Sequence, residues 1–185
     1  MEKEEFLNHI LPLWNKLSPN LRFTSDNSHL PFMIVIPDEF IPIEDQMRMI
    51  EYNGRKGRIT ANGIFQNAEG VKTPKMPYLA INPMVDGYTL FGFPTPLFQN
   101  KSNEWDERCL TVAEGIAVVN YHPIDDSSGL KNYGILLGGS CCQQPNTVPD
   151  LRISQKGYPE LHCDLDPEKK YEKWGPVSCK KEYIC

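Results

Sequence analysis

The sequence predicts an α+β fold in which a small, mainly antiparallel sheet is flanked by two or three helices. Two observations support this class. Short apolar runs of strand length are bounded by prolines and glycines, and helical periodicity occurs in separate segments rather than in regular alternation with the strands. The length of 185 residues fits one domain, residues 1–185. Within it, 1–30 would form a helix and a loop, and 166–185 a polar tail packed on the domain.

Two helices are expected in the first third of the chain. Residues 3–17 place apolar side chains at helical spacing, and Pro12 should kink this helix because proline removes a backbone donor. Residues 43–52 show a second helical pattern. Asn53-Gly54 would end that helix, since both residues tolerate the left-handed backbone of a helix stop.

A third helix, 111–121, has the clearest start signal in the chain. Thr111 and Glu114 form a T-x-x-E capping box. In such a box, each side chain accepts a hydrogen bond from the backbone N–H of the other residue. Capping accounts for Glu114 fully, so no catalytic role is expected of it.

Strands are predicted wherever short apolar runs lie between turn signals. Asp86-Gly87 favours a hairpin over 77–92, and Trp174-Gly175-Pro176 favours a turn inside the tail. The main predicted strands are 31–36, 77–81, 133–137, 148–154 and 160–165.

The composition argues against several functional classes. There are 24 acidic and 19 basic residues, a formal charge of −5, which disfavours non-specific nucleic-acid binding because that needs a cationic surface. No apolar run approaches the ~20 residues of a membrane-spanning helix, and no secretory signal is evident at the start. A soluble, cytoplasmic protein without a membrane partner is therefore predicted. In a reducing compartment its six cysteines should be thiols.

Five segments of the second half resemble a family of bacterial proteins of unknown function. They are LTVAEGIAVVNYHP at 110–123, ILLGGSCC at 135–142, VPDLRI at 148–153, LHC at 161–163 and WGPVSC at 174–179. The family carries an L-T-x-x-E-G helix, an L-L-G-S segment, a V-P-x-L strand and a W-x-G-x-x-S-C ending, which here is one residue shorter. The resemblance implies a bacterial grouping, but it implies no activity, substrate or cofactor.

Cysteines and one histidine of this half are candidates for a metal site. Cys142, His162, Cys163 and Cys179 could supply thiolate and imidazole ligands, and zinc would be the metal because it accepts both in tetrahedral geometry. The spacing contains no C-x-x-C pair, and a free cysteine commonly packs in the core as a small apolar side chain. Structural thiols without a cofactor are therefore the leading interpretation, with a zinc site as the alternative.

A thiol nucleophile is a second way to use these residues. The glycine turn before Cys141 and Cys142 could present a thiolate to backbone donors, which lower the pKa of a thiol. The base would be His122 or His162. A tight glycine turn at the edge of a sheet is the competing interpretation.

The segment 53–58 gathers three cations, Arg55, Lys56 and Arg58, on an acidic chain. Its glycines would let backbone N–H groups turn toward an anion, and arginine binds phosphate through two parallel hydrogen bonds. The competing interpretation is structural, because cations near the C-terminus of a helix complement its dipole.

The leading functional hypothesis is a non-catalytic module of the bacterial cytosol that binds a protein or a small-molecule ligand. Its basis is the absence of a recognisable catalytic set. The alternative is an enzyme, a thiol-based or zinc-dependent hydrolase centred on the C-terminal cysteines and His162. The sequence alone leaves open whether the protein is an enzyme.

Overall fold

The computed structural model describes residues 3–17, 30–60, 65–84, 95–96, 98, 104, 106–121, 134–143, 147–169, 171 and 174–185. This part of the chain contains three helices and fourteen strands, which group into five sheets. The α+β class is therefore confirmed, but the expectation of one small sheet is wrong. Among the described residues, no helix has both the length and the apolar character needed to cross a membrane.

The helices are α1 (Lys3–Leu17), α2 (Ile43–Met49) and α3 (Val112–Tyr121). The strands of the first half are β1 (Phe32–Val35), β2 (Glu51–Tyr52), β3 (Arg55–Lys56), β4 (Arg58–Ile59), β5 (Phe65–Asn67) and β6 (Tyr78–Ile81). Those of the second half are β7 (Glu107–Cys109), β8 (Gly134–Leu136), β9 (Ser140–Cys142), β10 (Val148–Ile153), β11 (Pro159–Leu165), β12 (Trp174–Pro176), β13 (Ser178–Lys180) and β14 (Tyr183–Ile184).

Two sheets dominate the architecture. The three-stranded sheet has the order β1-β6-β14 and is antiparallel throughout. The five-stranded sheet has the order β12-β8-β10-β11-β4. Its three central strands are antiparallel, whereas the edge strands β12 and β4 run parallel to β8 and β11. The remaining strands form the pairs β7–β13, β2–β3 and β5–β9.

Helix α1 covers one face of the three-stranded sheet. Ile10 and Leu13 of the helix pack on Leu79 of β6, together with partly buried residues of β1 and β14. Their spacing of three residues places them on one helix face, as the apolar periodicity predicts. Pro12 lies within α1, which spans Lys3–Leu17 on both sides of it.

The main core lies between the two large sheets and includes α2 and α3. One face of the five-stranded sheet contributes Leu151 and Leu161, which alternate along their strands with polar residues. The opposite face carries a smaller apolar cluster of Leu136, Val148 and Leu165, against which Tyr171 and Trp174 pack. Because side chains of a strand point alternately to its two faces, the polar neighbours of Leu151 and Leu161 lie on this outer face.

A buried ion pair fixes the start of α3. Glu114 is 0 % exposed, and its carboxylate accepts hydrogen bonds from Arg108 Nη1 (2.7 Å) and Nη2 (2.5 Å) and from the Tyr78 hydroxyl (2.7 Å). The Thr111 N–H donates to Glu114 Oε2 (2.8 Å), and Thr111 Oγ1 accepts from the Glu114 N–H (3.4 Å). The predicted capping box is confirmed, and β6 and β7 add two partners to it.

The electrostatics of this cluster keep Glu114 charged. Burial by itself would raise the pKa of this carboxyl, but the charge of Arg108 and the hydrogen bonds from Arg108, Thr111 and Tyr78 outweigh it and lower the pKa. Burial raises the pKa of Tyr78, and the carboxylate beside it raises it further, so the phenol stays protonated and can donate.

The second helix is shorter than the sequence predicts. It ends at Met49, and Asn53-Gly54 forms the two-residue turn of the hairpin β2–β3 instead of a helix stop. Both turn residues have positive φ, 50° and 74°, which is the backbone that a two-residue hairpin turn requires. The same dipeptide suits a helix stop and a hairpin, and here the flanking strand pairing decides between them.

The tail is also more ordered than predicted. The segment Trp174-Gly175-Pro176 is not a turn but strand β12, which pairs with β8 at the edge of the five-stranded sheet. An edge position tolerates proline because one side of the strand needs no partner. The tail also contributes β13 and β14. The predicted hairpin over 77–92 is described only through β6, since residues 85–92 lie outside the described residues.

Replacement of Glu114 by glutamine should lower the free energy of unfolding by about 3–5 kcal/mol, because it leaves the Arg108 cation in the core without its counter-charge. The measurement is urea unfolding followed by circular dichroism. Glu39→Gln, at an exposed position, is the matched control and should change the value by less than about 0.5 kcal/mol. Equal losses in the two variants would show that the buried pair does not hold the fold.

Candidate functional site

The outer face of the five-stranded sheet carries a cleft of about 490 Å³. All five strands contribute to its lining, as does the turn between β10 and β11. Its charged and aromatic lining residues are Arg58, Arg152, Lys156, Glu160, His162 and Trp174.

Strand register places these side chains in one row across the sheet. Arg152 on β10 is opposite Glu160 on β11, and Glu160 is opposite Arg58 on β4. On the other side of β10, Trp174 on β12 is opposite Gly134 on β8. A Cβ atom at position 134 would collide with the Trp174 indole, so glycine there allows the indole to lie across β8.

Glu160 connects two of its neighbours in this row. Its Oε1 accepts hydrogen bonds from Arg58 Nε (2.9 Å) and from Arg58 Nη2, and its Oε2 is 2.9 Å from His162 Nε2. Burial would raise the pKa of Glu160, but the hydrogen bonds from Arg58 and His162 and the charge of Arg58 lower it. The carboxylate is therefore ionised and acts only as an acceptor.

His162 has a second partner on the opposite side of its ring. Thr60, directly after β4, places its Oγ1 2.9 Å from His162 Nδ1 and 3.3 Å from the Leu161 carbonyl oxygen. An ionised Glu160 requires the proton on Nε2, so the Nδ1 of a neutral imidazole has a lone pair. In that tautomer Nδ1 can accept a hydrogen bond from the Thr60 hydroxyl, whose other acceptor within reach is the Leu161 carbonyl oxygen. Hydrogen-bond contacts thus link Thr60, His162 and Glu160 in series, from hydroxyl to imidazole to carboxylate.

A second carboxyl, Asp150, lies in the sheet beneath two residues that line the cleft, Arg152 and Trp174. It is 0 % exposed, its Oδ2 accepts from Trp174 Nε1 (3.2 Å), and Arg152 Nε is 3.5 Å from the same oxygen. Within the described part of the chain, no group donates to its Oδ1. Burial raises the pKa of Asp150 to about 7, despite the opposing charge of Arg152.

The predicted anion-binding residues separate into two groups. Arg55 and Arg58 stack on the ring of Tyr158, with the guanidinium carbons 5.0 and 4.2 Å from the ring centre. Of the two, Arg58 lines the cleft. Lys56 is exposed on β3, opposite Glu51. The explanation by a helix dipole does not apply, because α2 ends at Met49, before the hairpin.

The predicted zinc ligands do not share one position. Cys142 and Cys163 form a disulfide between β9 and β11, with their Cα atoms 6.1 Å apart, so the expectation that all cysteines are thiols is wrong. His162 uses both ring nitrogens for Thr60 and Glu160. Cys179 is buried on β13, opposite Arg108. No group of three or more His, Cys, Asp or Glu side chains within the described ranges could hold a metal ion.

The cysteines are also poorly placed for a thiol nucleophile. Cys142 is bonded to Cys163, and the Cys141 thiol lies 3.9 Å from the Asn67 carbonyl oxygen. Burial raises the pKa of Cys109 to about 12 and that of Cys179 well above its usual value, and a protonated thiol is a weak nucleophile. The other proposed base, His122, lies outside the described residues.

Several residues of the cleft were not anticipated from the sequence. They include Arg152 and Glu160, and nothing in the sequence indicated Thr60, which contacts His162 beside the cleft. A usable signal was present in two predicted strands, where Asp150-Leu151-Arg152 and Glu160-Leu161-His162 alternate polar and apolar residues. That period of two predicts one charged face on paired strands.

Comparisons of the chain with protein-family models, with curated proteins and with solved structures give no match. The resemblance to a bacterial family of unknown function stays a prediction. Function has to be inferred from the geometry of the cleft.

Asp150 should make stability depend on pH between about 4 and 7. Folding raises its pKa from 3.8 to about 7, so the native state binds a proton that the unfolded chain releases in this range. The resulting stabilisation is complete below pH 3.8 and is lost as the pH rises through about 7.

The Asp150→Asn variant should lack this contribution. Relative to the variant, the wild type should lose roughly 2–4 kcal/mol between pH 4.5 and 7.5, at about 1.4 kcal/mol per pKa unit. Urea unfolding at a series of pH values measures it, with the exposed Asp45→Asn as control. Parallel pH curves for wild type and Asp150→Asn would contradict the shift.

The disulfide should stabilise the fold by about 3 kcal/mol, because it closes a loop of 21 residues in the unfolded chain. A phosphine reductant should therefore lower the urea midpoint of the wild type to that of Cys163→Ser, and it should not affect Cys163→Ser itself. Cys185→Ser, which removes an exposed free thiol, should behave as the wild type. A wild type that is insensitive to complete reduction would refute this contribution.

Proposed function

We propose that this chain is a binding module for a small anionic ligand, which it holds in the cleft on the outer face of the five-stranded sheet. The observation that carries the proposal is the charge of the cleft. Arg58, Arg152 and Lys156 line it against one ionised carboxylate, Glu160. The lining residues thus carry an excess of cations on a chain of net charge −5. Behind the lining, Arg152 is also 3.5 Å from Asp150 and 3.4 Å from the exposed Asp164.

Two of the cations are pre-organised for an oxyanion. Arg58 lies over the ring of Tyr158, and Arg152 lies 5.7 Å from the Trp174 ring centre. Stacking holds a guanidinium plane in place, which reduces the entropy lost when it binds a carboxylate or phosphate through two parallel hydrogen bonds. Arg58 uses Nε and Nη2 for Glu160.

The third cation, Lys156, and the size of the cleft also suit a small anionic ligand. Lys156 lies in the turn between β10 and β11 and is exposed, so a ligand can reach it without displacing the sheet. The volume of about 490 Å³ falls within the roughly 300–1,000 Å³ that small-molecule sites occupy. The proposal keeps the ligand-binding module expected from the sequence and, of the three residues expected to bind an anion, Arg55, Lys56 and Arg58, it uses only Arg58. Location in the bacterial cytosol stays a prediction.

Thermal unfolding and calorimetric titration with succinate, inorganic phosphate and pyrophosphate test the proposal. At least one of these anions should raise the melting temperature at millimolar concentration, because binding to the native state stabilises it. Lys156→Ala should weaken binding about tenfold, as expected for the loss of one charge-assisted hydrogen bond.

Lys75→Ala is the matched control, since Lys75 is exposed and lies outside the cleft. Its affinity should equal that of the wild type. The proposal is wrong if none of the three anions binds, or if Lys75→Ala weakens binding as much as Lys156→Ala does.

A further inference from the structure

We infer that chemistry takes place at the edge of the cleft, with the Thr60 hydroxyl as nucleophile and the cleft residue His162 as its base. The substrate class is an ester whose acyl part carries an additional anionic group. This inference rests on the proposed function, because Arg58, Arg152 and Lys156 would hold that anionic group. It corresponds to the hydrolase that the sequence suggested as the alternative function, but with a hydroxyl rather than a thiol as the nucleophile.

In the tautomer of His162 that carries its proton on Nε2, the hydrogen bonds of the site have the direction that activation requires. The Nε2–H of a neutral His162 donates to Glu160, which leaves the Nδ1 lone pair 2.9 Å from Thr60 Oγ1. The distance from Oγ1 to the Leu161 carbonyl oxygen is longer, 3.3 Å. A hydroxyl that donates to an imidazole, which in turn donates to a carboxylate, is the arrangement of activated nucleophiles.

Each of the three hydrogen-bonded side chains, Thr60, His162 and Glu160, is held in position by a neighbouring group. The backbone N–H of Thr60 donates to the Leu161 carbonyl oxygen (3.0 Å), which sets the hydroxyl beside the imidazole of the next residue. Arg58 holds Oε1 of Glu160, so Oε2 is directed at His162. Glu160 is therefore a positioning residue: it orients the ring and favours the imidazolium that forms when His162 accepts a proton.

The position also allows access. Thr60 is exposed, and His162 and Glu160 both line the cleft that contains the cations. Arg58 precedes Thr60 by two residues at the end of β4. A ligand whose terminal carboxylate binds Arg58 would therefore extend from a position close to Thr60. Glu160 and His162, two residues apart on β11, lie on the same face of the sheet, and Thr60 Oγ1 contacts the His162 ring, so the hydroxyl is on the side of the cleft.

The reaction is balanced as two acyl transfers. Thr60 Oγ1 attacks the ester carbonyl carbon and its proton passes to His162 Nδ1. The bond to the alcohol oxygen then breaks, and that oxygen leaves with the electron pair and takes the proton from Nδ1. Water attacks the threonyl ester in the same way, which releases the acid and restores the Thr60 hydroxyl.

The experiment uses 4-nitrophenyl hydrogen succinate, with neutral 4-nitrophenyl acetate for comparison. The wild type should release 4-nitrophenolate faster from the anionic ester, and mass spectrometry after rapid quenching should find a succinyl group on the peptide that contains Thr60. Thr60→Val should lower the rate at least about 100-fold, as for the loss of an activated nucleophile. Thr60→Ser, which keeps the hydroxyl, should retain the activity.

Two further variants separate catalysis from folding. Thr73→Val removes a hydroxyl outside the cleft and should leave the rate unchanged. Glu160→Gln should lower the rate and move the rising limb of its pH profile to lower pH, because a neutral amide stabilises the imidazolium less than a carboxylate does. A purely structural role for Glu160 would lower the melting temperature and leave that limb in place.

The outcomes distinguish this inference from the proposed function. If succinate binds but Thr60→Val hydrolyses the ester as fast as the wild type, the catalytic inference is overturned and the binding module stands. If succinate, phosphate and pyrophosphate all fail to bind, the proposed function fails as well. Thr60→Val should still bind succinate with the affinity of the wild type, which shows that it is folded.

Discussion

The buried ion pair between Arg108 and Glu114 is the constraint on which the rest of the structure depends. Removing both charges from water is costly, and here five hydrogen bonds from Arg108, Tyr78 and Thr111 to one carboxylate offset that cost. The partners come from β6, β7 and the start of α3. The pair therefore ties the three-stranded sheet and the strand that pairs with the tail to the central helix.

The five-stranded sheet has two chemically different faces. Leu151 and Leu161 anchor its inner face in the main core, so the strands that carry them are held rigidly. The residues between and beside them, Arg152, Glu160 and His162, then lie on the outer face at positions set by backbone register. A site on paired strands of this kind is positioned more accurately than one on a loop.

The charged side chains of the outer face compete for the same hydrogen-bond partners. Glu160 binds both Arg58 and His162, so it limits the attraction of Arg58 for an anion while it orients the imidazole. Asp150 lies below, and burial raises its pKa to about 7, whereas that of Glu160 is lowered. Two carboxyls with pKa values moved in opposite directions are a feature of sites that handle protons.

The sequence by itself determined the features that depend on near neighbours. Thr111 and Glu114 are three residues apart, so their capping box follows from helix geometry alone, and the strands of the β10–β11 hairpin were evident from apolar runs. Asn53-Gly54 was ambiguous because its backbone suits two structures. Only the tertiary structure joined Arg58 to Glu160 and Thr60 to His162, across 102 residues, and Cys142 to Cys163. Such contacts are decided by which strands pair and in what register, and that depends on the whole core rather than on any local pattern.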